Sequence, residues 1–99
     1  MKCVQVTTFL KNKDQFSLID VRSSEEFSSF RIAGSVNVPL DQVEDEKEKI
    51  YSSSKKVLFL CLHWVRAEYA CSLFKKNENI SYLEGGLAAL DEKGFSFQR

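Results

Sequence analysis

Short apolar runs separated by polar and charged stretches divide this chain into alternating strands and helices. The runs at 16–21 and 57–60 are almost wholly apolar, which is typical of parallel strands covered on both faces. Shorter runs at 4–6, 35–38 and 80–83 predict three further strands. Strands that alternate with helices in this way predict an α/β fold with a mostly parallel sheet.

The polar stretches between the strands carry the signals of helices. Thr7 or Thr8 can cap a first helix, and Ser23 or Ser24 a second one that Gly34 breaks. Further helices are predicted at 41–51, 66–76 and 87–93. Apolar residues at helical spacing predict the inward faces, which are Val43 and Ile50 in the third helix and Ala67, Ala70, Cys71 and Phe74 in the fourth.

Length and composition favour one domain over residues 1–99. The 14 basic residues balance the 14 acidic ones, so no overall field attracts nucleic acid or anionic lipid. No apolar run approaches the ~20 residues of a membrane span, and the start lacks the apolar stretch of a secretory signal. We therefore expect no nucleic acid and no membrane among the partners, and a cytoplasmic location.

The cysteines are Cys3, Cys61 and Cys71, and none belongs to a Cys-x-x-Cys pair. Three is an odd number of cysteines, and His63 is the only histidine. This pattern predicts neither a disulfide framework nor a metal site. Cys3 and Cys71 are interpreted as core residues. Cys61 is the candidate for chemistry, with a buried structural thiol as the alternative.

Cys61 follows the most apolar strand and precedes a predicted helix. Ligands of open parallel sheets collect at the carboxyl ends of the strands. Backbone N–H groups of the loop 61–66 and the dipole of the following helix would form a cradle that stabilises a thiolate, a persulfide or an oxyanion. Arg66 adds a cation that can fork onto an anionic substrate, although it could instead pair with a carboxylate.

Three segments resemble the motifs of rhodanese domains and follow the family's order and spacing across nearly the whole chain. The segments are Leu18-Ile19-Asp20-Val21-Arg22 with Glu26-Phe27 and the stretch 32–39, the loop Cys61–Arg66, and the turn Leu83-Glu84-Gly85-Gly86. Within the first segment, Asp20 and Arg22 are interpreted as a structural polar pair behind the loop.

The resemblance implies a five-stranded, mostly parallel sheet with helices on both faces. It also implies a ping-pong sulfurtransferase reaction, in which Cys61 takes sulfane sulfur from a small anionic donor such as thiosulfate and passes it to a thiol or protein acceptor. Arg66 would bind the anionic donor. The backbone amides of the loop would hold the terminal sulfur, those of Leu62, His63, Trp64 and Val65 among them. No metal or organic cofactor is implied.

The sequence departs from the family's pattern at three positions. Trp64 stands at the fourth loop position, where active members commonly carry glycine, Arg31 replaces a histidine, and Ala67 replaces a small hydroxyl residue. A positive φ at Trp64 would cost ~1–2 kcal/mol of strain. Its ring could also overhang Cys61 and limit which donors enter.

Two other function classes stay open. Phosphatases of the related fold have a Cys-x5-Arg loop, whereas Arg66 follows Cys61 by five positions, so the loop here is one residue shorter. A non-catalytic rhodanese-like module for protein interaction is the second alternative. Cys61 and Arg66 argue against that module, while Trp64 is compatible with it.

Overall fold

The computed structural model describes residues 3–51, 53–74 and 79–99. Its sheet consists of β1 (Cys3–Val4), β2 (Phe16–Asp20), β3 (Val36–Asn37), β4 (Lys56–Leu60) and β5 (Ile80–Leu83). The strand order is β1-β5-β4-β2-β3, and every neighbouring pair is parallel. The predicted five-stranded parallel sheet is therefore confirmed, with β4 at its centre.

Helices cover both faces of this sheet. They are α1 (Val6–Lys11), α2 (Ser24–Ser29), α3 (Lys47–Tyr51), α4 (Val65–Ser72) and α5 (Gly86–Glu92). Because side chains alternate along a strand, Val57 and Phe59 of β4 join a buried cluster with residues of α3 and α4. Leu58 and Leu60 join a second cluster with residues of α1 and α5. The central strand is thus buried on both sides, as its apolar sequence predicts.

The prediction of one continuous helix over 41–51 is wrong. The chain instead forms 3-10 turns at Leu40–Gln42 and Glu44–Glu46 before α3. The backbone N–H of Leu40 donates to the carbonyl of Val21, which holds the start of this segment at the end of β2. Apolar spacing alone does not separate 3-10 turns from an α-helix. The predicted anchors Val43 and Ile50 are buried nonetheless.

The other element boundaries differ by a few residues. β1 is Cys3–Val4 rather than 4–6, because Val6 is buried as the first residue of α1, whose N-cap is Gln5. Ser23 caps α2 as predicted, but that helix ends at Ser29, well before Gly34. The predicted core-facing residues Ala67, Ala70, Cys71 and Phe74 are buried, but α4 ends at Ser72, so the prediction of a helix to 76 is wrong at 73–74, and its last two positions lie outside the described residues.

The two cysteines interpreted as core residues have different surroundings. Cys71 is buried on α4, and this burial, with a smaller contribution from the charge of Glu68, raises the pKa of its thiol to about 12. The prediction for Cys3 is wrong, because its side chain is exposed. Cys3 lies on a two-residue strand at the edge of the sheet, where little of the chain covers it.

Candidate active site

Cys61 lies at the carboxyl end of the sheet, directly after the central strand. Cys61 directly follows β4 and belongs to the same buried cluster as Val57 and Phe59. It is 2% exposed, and α4 begins four residues later at Val65. The strand–loop–helix arrangement predicted from the sequence is therefore present, and its thiol is shielded from bulk water.

The N-terminus of α5 fixes the backbone of the cysteine loop. The N–H of Leu87 donates to the carbonyl of Cys61 at 3.0 Å, and the N–H of Ala88 to that of Leu62 at 2.9 Å. At Gly86, a Cβ atom would lie 2.6 Å from each of these carbonyl oxygens. The cysteine loop and the glycine turn are therefore packed backbone against backbone, which requires glycine at this position.

The same contacts orient the N–H groups of the loop. The carbonyls of Cys61, Leu62 and His63 all crowd Gly86. Each peptide unit is planar and trans, so its N–H points opposite to its carbonyl. The N–H groups of Leu62, His63 and Trp64 consequently point away from α5. None of these three N–H groups faces the Gly86 turn, so they are available to a group on the other side of the loop.

Trp64 is the N-cap of α4, and its φ is negative. Its φ is −151° and its ψ is −22°, so the left-handed conformation that would have strained a tryptophan does not occur. The side chain is 49% exposed, and its ring meets the edge of the His63 ring with the centroids 6.4 Å apart. His63 and Val65 are also exposed, whereas Leu62 is half-buried.

Arg66 forms a two-pronged ion pair with Glu26 of α2. Its Nη1 lies 2.7 Å from Oε1 of Glu26, and its Nη2 lies 3.1 Å from Oε2. The Arg66 hydrogen bond lowers the pKa of the Glu26 carboxyl to about 2, although partial burial opposes the shift. In return, that hydrogen bond raises the pKa of Arg66, with smaller contributions from the charges of Glu26, Cys61 and Asp20.

Glu26 is a site residue that the sequence did not identify. It follows Ser23 by three positions in a capping box, in which Oε1 accepts from the N–H of Ser23 at 3.0 Å and the N–H of Glu26 donates to the Ser23 hydroxyl at 3.2 Å. The Ser-x-x-Glu spacing predicts this cap. The contact with Arg66 spans forty positions of sequence and comes only from the fold.

Asp20 and Arg22 form the predicted structural pair. Both side chains are buried, and the guanidinium donates to the two carboxylate oxygens, with Nε 2.9 Å from Oδ1 and Nη2 2.8 Å from Oδ2. Nη2 also donates to the carbonyl of Phe30 at 2.6 Å. Asn37 donates to the carbonyls of Asp20 and Arg22. This network joins the end of β2 to β3 and to Phe30 at the end of α2.

An open groove lies next to the arginine. Its volume is about 580 Å³, and its walls include Arg66 and Tyr69 of α4, together with the apolar residues Val21, Pro39, Leu40 and Leu73. Cys61 is not on these walls. Within ranges 3–51, 53–74 and 79–99, no group of three or more His, Cys, Asp or Glu residues could hold a metal ion. No helix of those ranges is long and apolar enough to cross a membrane.

Known proteins are similar to this chain in sequence or in fold. Protein YqhL of Bacillus subtilis (strain 168) is 34% identical over 88 residues, which are 87% of this chain and 69% of that protein. A rhodanese-related protein from Thermoplasma volcanium superimposes with a TM-score of 0.88 at 27% identity, covering 99% of this chain and 98% of that one.

A larger protein carries a similar unit. The thiosulfate sulfurtransferase from Pseudomonas aeruginosa gives a TM-score of 0.81 at 16% identity, over 100% of this chain and 20% of that protein, a likeness that shows the fold alone. The sequence model of the rhodanese-like domain matches residues 5–93. The chain therefore belongs to the rhodanese-like domain family.

Proposed function

We propose that this domain is a sulfurtransferase that carries sulfane sulfur as a persulfide on Cys61. The observation that supports the proposal is the orientation of the loop backbone. The carbonyls of Cys61, Leu62 and His63 face Gly86, so the following N–H groups face away from it. They thereby provide fixed dipoles for an anionic sulfur bonded to Cys61.

The first half of the reaction loads the cysteine. The Cys61 thiolate attacks the outer sulfur of a donor such as thiosulfate, a sulfur–sulfur bond forms to Cys61, and the bond within thiosulfate breaks. Sulfite leaves with the electron pair of that bond. The outer sulfur then carries the negative charge of a persulfide, which the amides of Leu62, His63, Trp64 and Val65 stabilise by hydrogen bonding.

The second half returns the cysteine to its starting state. A thiolate of a small or protein acceptor attacks the outer sulfur of the persulfide, and the Cys61 thiolate leaves. Each step exchanges one sulfur–sulfur bond for another, so the reaction requires no metal or organic cofactor. The three free cysteines of the domain suit a reducing compartment, and we propose that the domain acts in the cytoplasm.

Arg66 contributes the cation of the site. It lies five positions after Cys61, at the start of α4, and its side chain is held by the ion pair with Glu26. We propose that Arg66 draws the anionic group of the donor toward the loop. A thiosulfate ion would then be held by the guanidinium at one end and presented to Cys61 at the other.

The proposal is tested by intact mass after incubation with thiosulfate, with and without a thiol reductant. Cys61 should gain one reducible sulfur, and Cys61→Ser should abolish both this gain and any transfer to cyanide. Cys3→Ser and Cys71→Ser are the matched controls and should leave both intact. If all three variants lost the sulfur gain equally, the assignment of the chemistry to Cys61 would be wrong.

The second candidate is a non-catalytic module for protein interaction. The exposed apolar side chains around the loop favour it, with Trp64 49%, Val65 63% and Tyr69 57% exposed. Exposed aromatic residues are common anchors of protein interfaces. A Cys61 thiol that stays unmodified by thiosulfate and by persulfides in the mass measurement would select this candidate.

A further inference from the structure

The fork of Arg66 is already occupied by a carboxylate. Both terminal nitrogens bind Glu26, at 2.7 and 3.1 Å, in the two-pronged geometry that arginine uses for carboxylate and oxyanion ligands. An anionic donor would have to share the guanidinium with Glu26 or displace it. The charge of Arg66 is also compensated, because one carboxylate lies against it.

Glu26 is held where it is by a second set of contacts. Its Oε1 accepts hydrogen bonds from the N–H of Ser23 at 3.0 Å and from the Ser23 hydroxyl at 3.1 Å. These contacts tie the carboxylate to the first turn of α2 independently of Arg66. With a pKa of about 2, the group is negative throughout the physiological range. A fixed anion therefore stands beside the proposed anion-binding residue.

We propose that Glu26 is a positioning residue that selects the sulfur donor, disfavouring the dianion thiosulfate and favouring persulfides of thiols without net negative charge. The proposal rests on the proposed function and names its donor class. In the favoured reaction, the Cys61 thiolate attacks the outer sulfur of a donor R–S–SH. The bond between the two donor sulfurs breaks, R–S⁻ leaves with the electron pair, and Cys61 keeps the outer sulfur and its proton.

Glu26→Gln tests this selection without dismantling the helix cap. Glutamine is accepted at this position of a capping box, and its side-chain oxygen can still accept from Ser23 and Arg66. The substitution therefore removes the negative charge and keeps the shape. Glu25→Gln is the matched control, because it removes the same charge from the neighbouring residue of α2, which is exposed and contacts Ser24.

The measured quantity is the second-order rate constant for persulfide formation on Cys61, by rapid quench and intact mass, with two donors. Thiosulfate carries two negative charges, whereas cysteamine persulfide carries a positive amine. Glu26→Gln should raise the rate constant for thiosulfate about tenfold, as expected for removing one like charge near a partly exposed site. The rate constant for cysteamine persulfide should fall about threefold, because the charge removed from Glu26 attracts the positive amine of that donor. Glu25→Gln should leave both nearly unchanged.

Salt adds a readout that a purely structural role would not change. Releasing the charge of Arg66 should make the thiosulfate rate of Glu26→Gln fall with ionic strength more steeply than that of wild type. If Glu26→Gln lowers the rate constants for both donors by the same factor, Glu26 only supports Arg66. If it changes neither rate constant, the charge of Glu26 is irrelevant to the donor. Either outcome overturns the proposal. Wild-type reaction with cysteamine persulfide tests the proposed function separately from the selection.

Discussion

Gly86 stands against the carbonyl oxygen of His63 so closely that a Cβ atom at Gly86 would overlap it. The same Cβ would lie 2.6 Å from the carbonyl oxygens of Cys61 and Leu62. The next two residues of α5 donate their N–H groups to those two oxygens. The glycine turn after β5 and the cysteine loop after β4 therefore form one packed unit, in which the turn determines the direction of the loop's peptide planes.

Gly86→Ala should disrupt this unit. Its φ of +66° is costly for alanine, and the overlap with loop carbonyls adds to that cost, for a loss of roughly 2–5 kcal/mol in the free energy of unfolding. Urea denaturation measures the loss, and intact mass should show less persulfide on Cys61. Gly94→Ala is the matched control, since Gly94 has φ +79° and nothing within 4 Å of its Cβ position. Equal losses in the two variants would mean that backbone strain alone is being measured.

Arg66→Ala should weaken the reaction with thiosulfate more than the reaction with cysteamine persulfide. The change removes the cation and leaves the Glu26 carboxylate uncompensated beside the loop. A lost charge-assisted hydrogen bond is worth ~1.5–3 kcal/mol, or about ten- to a hundredfold in the rate constant for thiosulfate. Arg66→Lys should restore only part of it, because an ammonium cannot fork.

The Arg66 prediction has its own control in the double variant. Combining Arg66→Ala with Glu26→Gln removes both charges, so thiosulfate should react faster than with Arg66→Ala alone. The rate constants of the four proteins form a double-mutant cycle that measures the coupling of the pair toward the donor. If both donors lost the same factor in Arg66→Ala, the arginine would be holding the loop rather than the donor.

The Glu26–Arg66 pair should also appear in the pH dependence of stability. The pKa of Glu26 is about 2 in the folded chain, against an ordinary value of 4.5. The folded state binds this proton more weakly than the unfolded state, so the pair's contribution is complete above pH 4.5 and is lost as pH falls toward 2. Both side chains are more than a third exposed, and solvent screening keeps the contribution small.

Urea denaturation across that acid range measures this contribution. The difference in unfolding free energy between wild type and Glu26→Gln should shrink as pH falls. Protonation of Glu26 removes the negative charge from wild type, and the substitution removes it at every pH. Glu25→Gln should show no comparable trend, since its carboxylate contacts Ser24 rather than an arginine. A difference that stays constant to pH 2 would mean that the ion pair does not stabilise the fold.

Local sequence signals predicted much of this fold. The apolar runs of β2, β4 and β5 identify strands because a central parallel strand is buried on both faces, and the pairing of Asp20 with Arg22 follows from two charges in a buried segment. The position of Cys61 at the end of β4 was predictable for the same reason. Each of these features depends on residues close together in the chain.

Features that depend on tertiary placement were not predictable in this way. Glu26 contacts Arg66 only because α2 and α4 both begin at the carboxyl end of the sheet. The sequence of neither segment predicts this contact. Cysteine is a residue type usually found in the core, but Cys3 is exposed because it lies on an edge strand. The backbone conformation of Trp64 follows residues 61–63, whose carbonyls pack against Gly86 at the start of α5, and the local sequence does not show that contact.

Trp64→Gly should raise the modest thiosulfate activity expected of wild type, by opening access to Cys61. The family's glycine at this position suggests strain relief as a second cause, but Trp64 has φ −151° rather than the positive φ that favours glycine. Trp64→Ala should therefore raise the rate constant for persulfide formation as much as Trp64→Gly does. A gain confined to glycine would mean that the loop reaches a positive φ during the reaction.

The same pair of variants separates the enzyme from the interaction module. Removing an exposed indole takes away an anchor for apolar partners, so transfer from Cys61 persulfide to a protein thiol should weaken while transfer to cyanide does not. Loss of activity together with a lower free energy of unfolding in both variants would show that the ring supports the loop. If Cys61 stays unreactive toward thiosulfate and persulfides in wild type and both variants, the exposed surface around Trp64 serves binding alone.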